Sequence, residues 1–319
     1  MRTIGLEEHF VTTELAHLGT AGESLTTSGR WAKLSRQLSD LSDQRLSEMD
    51  AAGLDVQVLS LTAPGIQAEP DAAVAVTQAA AVNDLLAATV AAHPDRFAGF
   101  AALPLQDPQS AAKELDRAVD QLGLRGALVN AHTQGRYLDD PSLRVVWEHL
   151  EAFDLPLYLH PGNGFDIPHV FSGHPELIGP IWSWGVETSA HALRLIFSGV
   201  FDDFPSAKLL LGHMGEGLPF ALWRLDSRWD FTDHRGIKLK RGTPSHYVRH
   251  NIYVTTSGVC SVPPLLCTLD ALGPDHILFA TDYPYEDMAT ATKFLRTAPI
   301  DDGDRAKIAH LNAERLLRL

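Results

Sequence analysis

Short apolar runs alternate with segments of helical period along nearly the whole chain. The pattern predicts strands over residues 3–8, 55–61, 97–103, 126–130, 155–160, 208–213, 252–255 and 277–282. These runs are rich in Leu, Val, Ile and Phe, and several lack polar alternation, which marks strands buried on both faces. Helical segments lie between them. Asp107-Pro108 reads as a helix start, a capping carboxylate before a residue with no N–H to satisfy, with Ala112, Leu115, Val119 and Leu122 following at helical spacing. A long helix is predicted over 72–92, ended by His93-Pro94. Eight strands with intervening helices predict an α/β fold, a (β/α)8 TIM barrel forming one domain over residues 1–319, with an open doubly wound sheet as the alternative. Two stretches, 11–42 and 161–181, exceed the minimal barrel. Both begin just past a strand end, where barrel active-site loops arise, so they are expected to be inserted lid loops rather than plain surface decoration.

Composition narrows the partners. With 45% hydrophobic and 21% charged residues in 319, the chain can bury a large core and is not globally disordered. Forty acidic against 26 basic residues give a formal net charge of −14, which argues against nucleic acid and against an anionic membrane surface. A small anionic substrate stays compatible, because one metal ion or arginine reverses the field inside a pocket. The two cysteines, Cys260 and Cys267, offer no disulfide framework, and the start lacks an apolar signal core, so a cytoplasmic setting is expected. No uninterrupted apolar stretch reads as long enough to span a bilayer, and no membrane association is expected.

The chemistry gathers at predicted strand ends. Glu7 and His9 are two apart on the first strand and so share its inward face. His160 closes the fifth strand, His213 the sixth and Asp282 the eighth. All belong at the C-terminal mouth of the barrel, where barrel enzymes carry their chemistry. Glu7, His9, His160 and Asp282 form a set of nitrogen and oxygen ligands suited to one divalent ion, Zn²⁺ or Mn²⁺, with positions left open for water or substrate. Glu7 or His9 alone would read as a buried, hydrogen-bonded strand residue.

The stretches Leu6-Glu7-Glu8-His9-Phe10, Leu61-Thr62-Ala63-Pro64-Gly65-Ile66-Gln67 and His132-Thr133-Gln134-Gly135-Arg136-Tyr137-Leu138-Asp139 carry a family resemblance. So do Gly185-Val186-Glu187-Thr188, Gly212-His213-Met214-Gly215-Glu216-Gly217-Leu218-Pro219 and Thr281-Asp282-Tyr283-Pro284-Tyr285. In this order they resemble the decarboxylating branch of the amidohydrolase superfamily, the group that includes aminocarboxymuconate semialdehyde decarboxylase. Within it the chain is most similar to the γ-resorcylate, 2,3-dihydroxybenzoate and 5-carboxyvanillate decarboxylases. The resemblance implies the barrel, one divalent metal held through Glu7, His9, His160 and Asp282, and a homodimer or homotetramer. It departs at Pro161-Gly162-Asn163, where the resorcylate enzymes tend to carry an arginine in the middle, and so leaves the ring substituents open.

The function expected on that footing is oxygen-independent decarboxylation of an ortho-hydroxylated aromatic acid, with a small aromatic carboxylate as partner. Asp282 is expected as ligand and acid, and His213 with Glu216 as the groups that tune it. Arg224, Arg30 and Tyr283 are expected to touch substrate, and Trp182 and Trp184 are further candidates for an aromatic wall. The alternative is a metal-dependent hydrolase of a lactone, ester or amide. Against it, the fourth strand ends in Val129-Asn130-Ala131-His132 and lacks a lysine able to carry a bridging carbamate.

Overall fold

The computed structural model describes residues 1–18 and 28–319. Among the described residues nine strands run in order: β1 (Ile4–Phe10), β2 (Val56–Leu61), β3 (Phe97–Gly99), β4 (Ala101–Ala102), β5 (Ala127–Asn130), β6 (Pro156–His160), β7 (Lys208–Leu211), β8 (Ile252–Thr255) and β9 (Ile277–Leu278). Every pairing is parallel, in the order β1-β2-β3 and β4-β5-β6-β7-β8-β9. The predicted strand 97–103 is thus broken at Phe100, whose N–H nevertheless donates to Leu59 O at 2.9 Å and carries the wall across the gap. At the other seam Leu6 N–H donates to Phe279 O at 3.1 Å and His9 N–H to Tyr283 O at 2.8 Å. The sheet therefore closes on itself, and the open-sheet alternative is set aside.

Two predicted strands end early. The run 208–213 stops at Leu211, because Gly212 and His213 already turn away, His213 with a left-handed φ of 50°. The run 277–282 pairs regularly only as far as Leu278 and continues through the isolated bonds to β1.

Two apolar layers sandwich the wall. Inside lie Ile4, Leu6, Val58, Phe100, Tyr158 and Leu210, closed at the bottom by Leu316 and Leu317 of the last helix. Outside, helices pack their buried faces against the alternate strand residues. Asp107 caps the helix Pro108–Asp120 through the N–H groups of Gln109 and Ser110, and Asp71 caps Ala72–Ala92 in the same way. By length and composition alone Ala72–Ala92 is apolar enough to cross a membrane, contrary to the expectation from sequence. Its apolarity comes mostly from alanine, and it lays Ala75, Ala79, Val82 and Leu86 against the barrel while Asn83 hydrogen-bonds both N and O of Ala102.

Of the first expected lid, residues 19–27 lie outside the described residues, and the helix Ser28–Ser39 forms its later part. The second holds two short 3-10 turns, His169–Phe171 and Pro175–Leu177, and leads into the helix Ser183–Phe197.

Candidate active site

Glu7 and His9 leave β1, His160 ends β6 and Asp282 comes just after β9, all at the same mouth of the barrel. One ligand-capable atom from each of these four lies within 4.8 Å of the other three, the one such group among the described residues. His9 Nε2 is 3.3 Å from Asp282 Oδ1 and 4.0 Å from Glu7 Oε1, and His160 Nε2 is 3.4 Å from Glu7 Oε1. Ligands about 2.0–2.2 Å from a shared ion stand roughly 3–3.5 Å apart, so these spacings suit a cation after small adjustment. Glu7 Oε1 and His9 Nε2 are buried without a hydrogen bond. Leaving such atoms unmet costs about 1–3 kcal/mol each, a cost that a divalent ion between them removes.

Glu7 is aimed by the backbone. Leu6 and Glu7 together face Val58, because the register of β1 on β2 slips between Gly5 and Glu8. This bulge lets Leu6 fill the barrel interior while Glu7 also turns inward, and Glu8 goes to the outer side. The Tyr158 hydroxyl donates to Glu7 Oε2, which leaves Oε1 toward the other ligands. Gly212 is required beside it: a Cβ there would lie 2.6 Å from Glu7 Oε2.

Charge states fit this arrangement. Burial drives His160 well below its usual range, helped by His9 and His213, so it presents the neutral lone pair a metal ligand needs. Burial raises Glu7, with the histidines pulling against it. At Asp282 burial also works upward, yet the adjacent His213 and His9 rings outweigh it and hold the carboxyl below the usual carboxylate range.

His213 links the group to the cavity. Its Nδ1 is 2.7 Å from Glu216 Oε1, and its Nε2 is 3.6 Å from Asp282 Oδ2. Burial disfavours its cation, but Glu216, Glu7 and Asp282 outweigh that and lift it well above its ordinary value. His213, Met214, Glu216 and Asp282 all have left-handed φ, between 50° and 63°. Such conformations cost about 1–2 kcal/mol for residues other than glycine and recur where a site dictates the backbone. Gly258, at φ +62°, closes the approach; a Cβ there would stand 3.0 Å from His213 Cδ2.

A cavity of about 750 Å³ opens above these groups, with Arg30, Trp184, Tyr285, His213, Glu216 and Asp282 in its lining. Arg30 comes from the lid helix, where its Nη2 faces Tyr285 O at 3.5 Å. Two expected substrate contacts are placed elsewhere. Tyr283 is buried behind the wall, its ring 4.6 Å beneath the Arg45 guanidinium, because it pairs with β1 and points outward. Tyr285, two residues on, faces the cavity with its hydroxyl 2.7 Å from Thr62 Oγ1. Arg224 lies on the solvent face of the helix Leu218–Phe231, outside the cavity lining. Tyr158 was missed from sequence, although its place two residues before His160 puts it on the same inward face.

The family model described as Amidohydrolase matches residues 31–319. The chain is 42% identical to the γ-resorcylate decarboxylase of Rhizobium sp. (strain MTP-10005), over 99% of this chain and 98% of that protein. Among solved structures, it resembles dihydroxybenzoic acid decarboxylase from Polaromonas sp. JS666 with bound manganese and the inhibitor 2-nitroresorcinol, at 40% identity and a TM-score of 0.94, covering 100% of this chain and 97% of that one. It likewise resembles 5-carboxyvanillate decarboxylase from Sphingomonas paucimobilis, at 42% identity and a TM-score of 0.91, covering 100% and 99%.

Proposed function

The chain belongs to the amidohydrolase family, and from that premise we propose that it removes carbon dioxide from an ortho-hydroxylated aromatic acid without oxygen or an organic cofactor. The observation that carries the reading is the double position of Asp282, beside His9 within the four-residue group and beside His213 in the wall of the cavity. Losing carbon dioxide directly would leave an aryl carbanion, so the ring carbon bearing the carboxylate has to be protonated first. Asp282, ionised at rest, relays to that carbon a proton drawn from the protonated His213. The carbon–carbon bond then breaks, its electron pair restores the aromatic ring, and carbon dioxide departs. His213, held by Glu216, faces the other oxygen of Asp282 and takes up a fresh proton from solvent for the next turnover. Glu7, His9, His160 and Asp282 would hold one divalent ion, with Mn²⁺ the first choice from the related manganese-bound structure. Such an ion would supply positive charge that orients the anionic substrate and favours the ionised phenol.

The test is an ultraviolet assay of protein stripped of metal and then loaded with Mn²⁺ or Zn²⁺, on 2,6- and 2,3-dihydroxybenzoate, salicylate and 5-carboxyvanillate. Phenol formation in the loaded protein alone is the expected result. Silence on all four acids, with turnover of a lactone or aryl ester, would replace this reading with hydrolysis.

Arg30 is the side chain proposed to meet a second carboxylate on the ring, since it reaches the cavity from the lid. Replacing a charge-assisted hydrogen bond costs about 1.5–3 kcal/mol, so Arg30→Met should raise KM for 5-carboxyvanillate about 10- to 100-fold. KM for salicylate should stay within about twofold; equal effects on both acids would remove Arg30 from this role.

A homodimeric unit completes the proposal. Phe220, Trp223 and Phe231 stand 88%, 78% and 77% exposed along one face of the helix Leu218–Phe231, with Arg224 among them. The stripe starts beside Glu216 and Gly217 of the cavity wall, so a second copy seated on it also closes the cavity mouth. Light scattering should give a multiple of the 34.8 kDa chain mass, reduced by Phe220→Asp/Trp223→Asp. A monomeric wild type would refute it.

A further inference from the structure

A second cavity, of about 380 Å³, lies beside the first among the described residues. Its wall includes Ala68, Asn130, His132, Gly162 and Gly164, none of which lines the larger cavity. The two spaces share Ala63 and Trp184. Ala63 has only a methyl group to offer, so the indole of Trp184 is the bulk that separates them. The ring sits 6.3 Å from that of His160, at 71° to it, and its Nε1–H donates to Asn163 Oδ1 at 2.7 Å. That hydrogen bond pins the indole against the loop after His160.

The side cavity suits the flat edge of a ring. Two glycines and three alanines leave part of its wall without bulk, and the half-buried His132 already makes edge contacts with Tyr137 and Phe165. Asn130 Oδ1 is buried there without a partner, so the wall has polarity but no charged group of the kind that would draw a second carboxylate. We propose that Trp184 sets the ring-size limit of this enzyme, holding it to single-ring acids, and that shortening this side chain joins the side cavity to the substrate cavity and admits fused-ring ortho-hydroxy acids of the hydroxynaphthoate type. This rests on the decarboxylase reading for its choice of ligand, whereas the partition itself is a matter of shape.

The experiment measures binding and turnover separately. Kd is measured for 3-hydroxy-2-naphthoate, by its own fluorescence, and for salicylate, by competition against it, on metal-loaded wild type, Trp184→Ala, Ala68→Phe and Trp184→Ala/Ala68→Phe. Trp184→Ala should shift the ratio of the two affinities at least about tenfold toward the naphthoate, as burial of an additional ring implies. Ala68→Phe, which puts bulk into the side cavity at a residue that does not line the larger one, should leave the wild-type ratio alone and cancel the gain in the double variant. A ratio unmoved by Trp184→Ala, or a gain that survives Ala68→Phe, overturns the proposal. Naphthol formation by Trp184→Ala should rise with its gain in binding. Altered binding with no turnover of any acid, single-ring or fused, would keep the partition and defeat the decarboxylase reading instead.

Discussion

Asp282→Asn should lower kcat for decarboxylation by about 10³-fold or more while leaving the fold in place. General acid catalysis is typically worth about 10²–10⁴-fold, and the amide that replaces this carboxyl has no acidic proton to give the ring carbon. The choice of asparagine matters. Asp282 occupies a left-handed conformation, with φ at 63°, which asparagine tolerates almost as readily as aspartate and alanine does not. The substitution therefore isolates the acid from backbone strain. The amide oxygen also keeps an oxygen donor in the group formed with Glu7, His9 and His160, so metal content by elemental analysis should stay above half of the wild-type value. Thermal midpoints should agree within a few degrees. A variant that retains full metal and more than about a tenth of wild-type kcat would take the proton-delivery role away from Asp282.

Arg45→Met should produce the largest loss of stability, about 3–5 kcal/mol by denaturant titration of the metal-free protein. Arg45 is wholly buried in the helix Asp43–Ala52. It donates to His9 O at 2.7 Å, Gln37 O at 3.0 Å, Asp40 O at 2.7 Å and Gln57 Oε1 at 3.2 Å. Gln57 in turn donates to Glu8, whose carboxylate accepts from Thr281 N at 2.9 Å and from Thr281 Oγ1 at 2.5 Å. A methionine fills the space but leaves buried carbonyls without donors and Glu8 without its nearest cation. Burial already pushes the Glu8 carboxyl up to about 8, against the Thr281 hydrogen bonds and the Arg45 charge. At about pH 9, above that value, the carboxyl is ionised in the wild type, and loss of the charge there makes Glu8 take up a proton. Pairing Arg45→Met with Glu8→Gln, which supplies the neutral side chain from the start, should therefore recover about 1–2 kcal/mol. Because the same chain of bonds joins His9 to the residue preceding Asp282, Mn²⁺ affinity should weaken in Arg45→Met as well. A loss below about 1 kcal/mol with unchanged metal affinity would show that the network braces nothing.

Much of this protein is legible from local pattern. Alternating apolar runs and helical periods place the eight barrel strands, since strand and helix periods are set by neighbouring residues. Asp71 and Asp107 mark their helices because a capping side chain acts within three residues of itself. The strand-end positions of Glu7, His9, His160, His213 and Asp282 come from the same reading, because parallel strands of a barrel all finish at one mouth.

Closure of the barrel decided the rest. The register slip at Leu6 and Glu7 depends on how β1 seats against β2, and nothing in the string Gly5-Leu6-Glu7-Glu8 announces it. That one extra residue sends Glu7 inward and Glu8 to Arg45. The seam between β1 and the segment after β9 turns Tyr283 outward and leaves Tyr285 to face the cavity, although the two tyrosines are equivalent by residue type. Arg224, similar by position to a substrate contact, sits on an outer helix face. Sequence period fixes which residues share a face of one element; which faces meet, and which oxygen of a carboxylate is left free between them, is settled only when distant segments pack and each buried polar atom finds its partner.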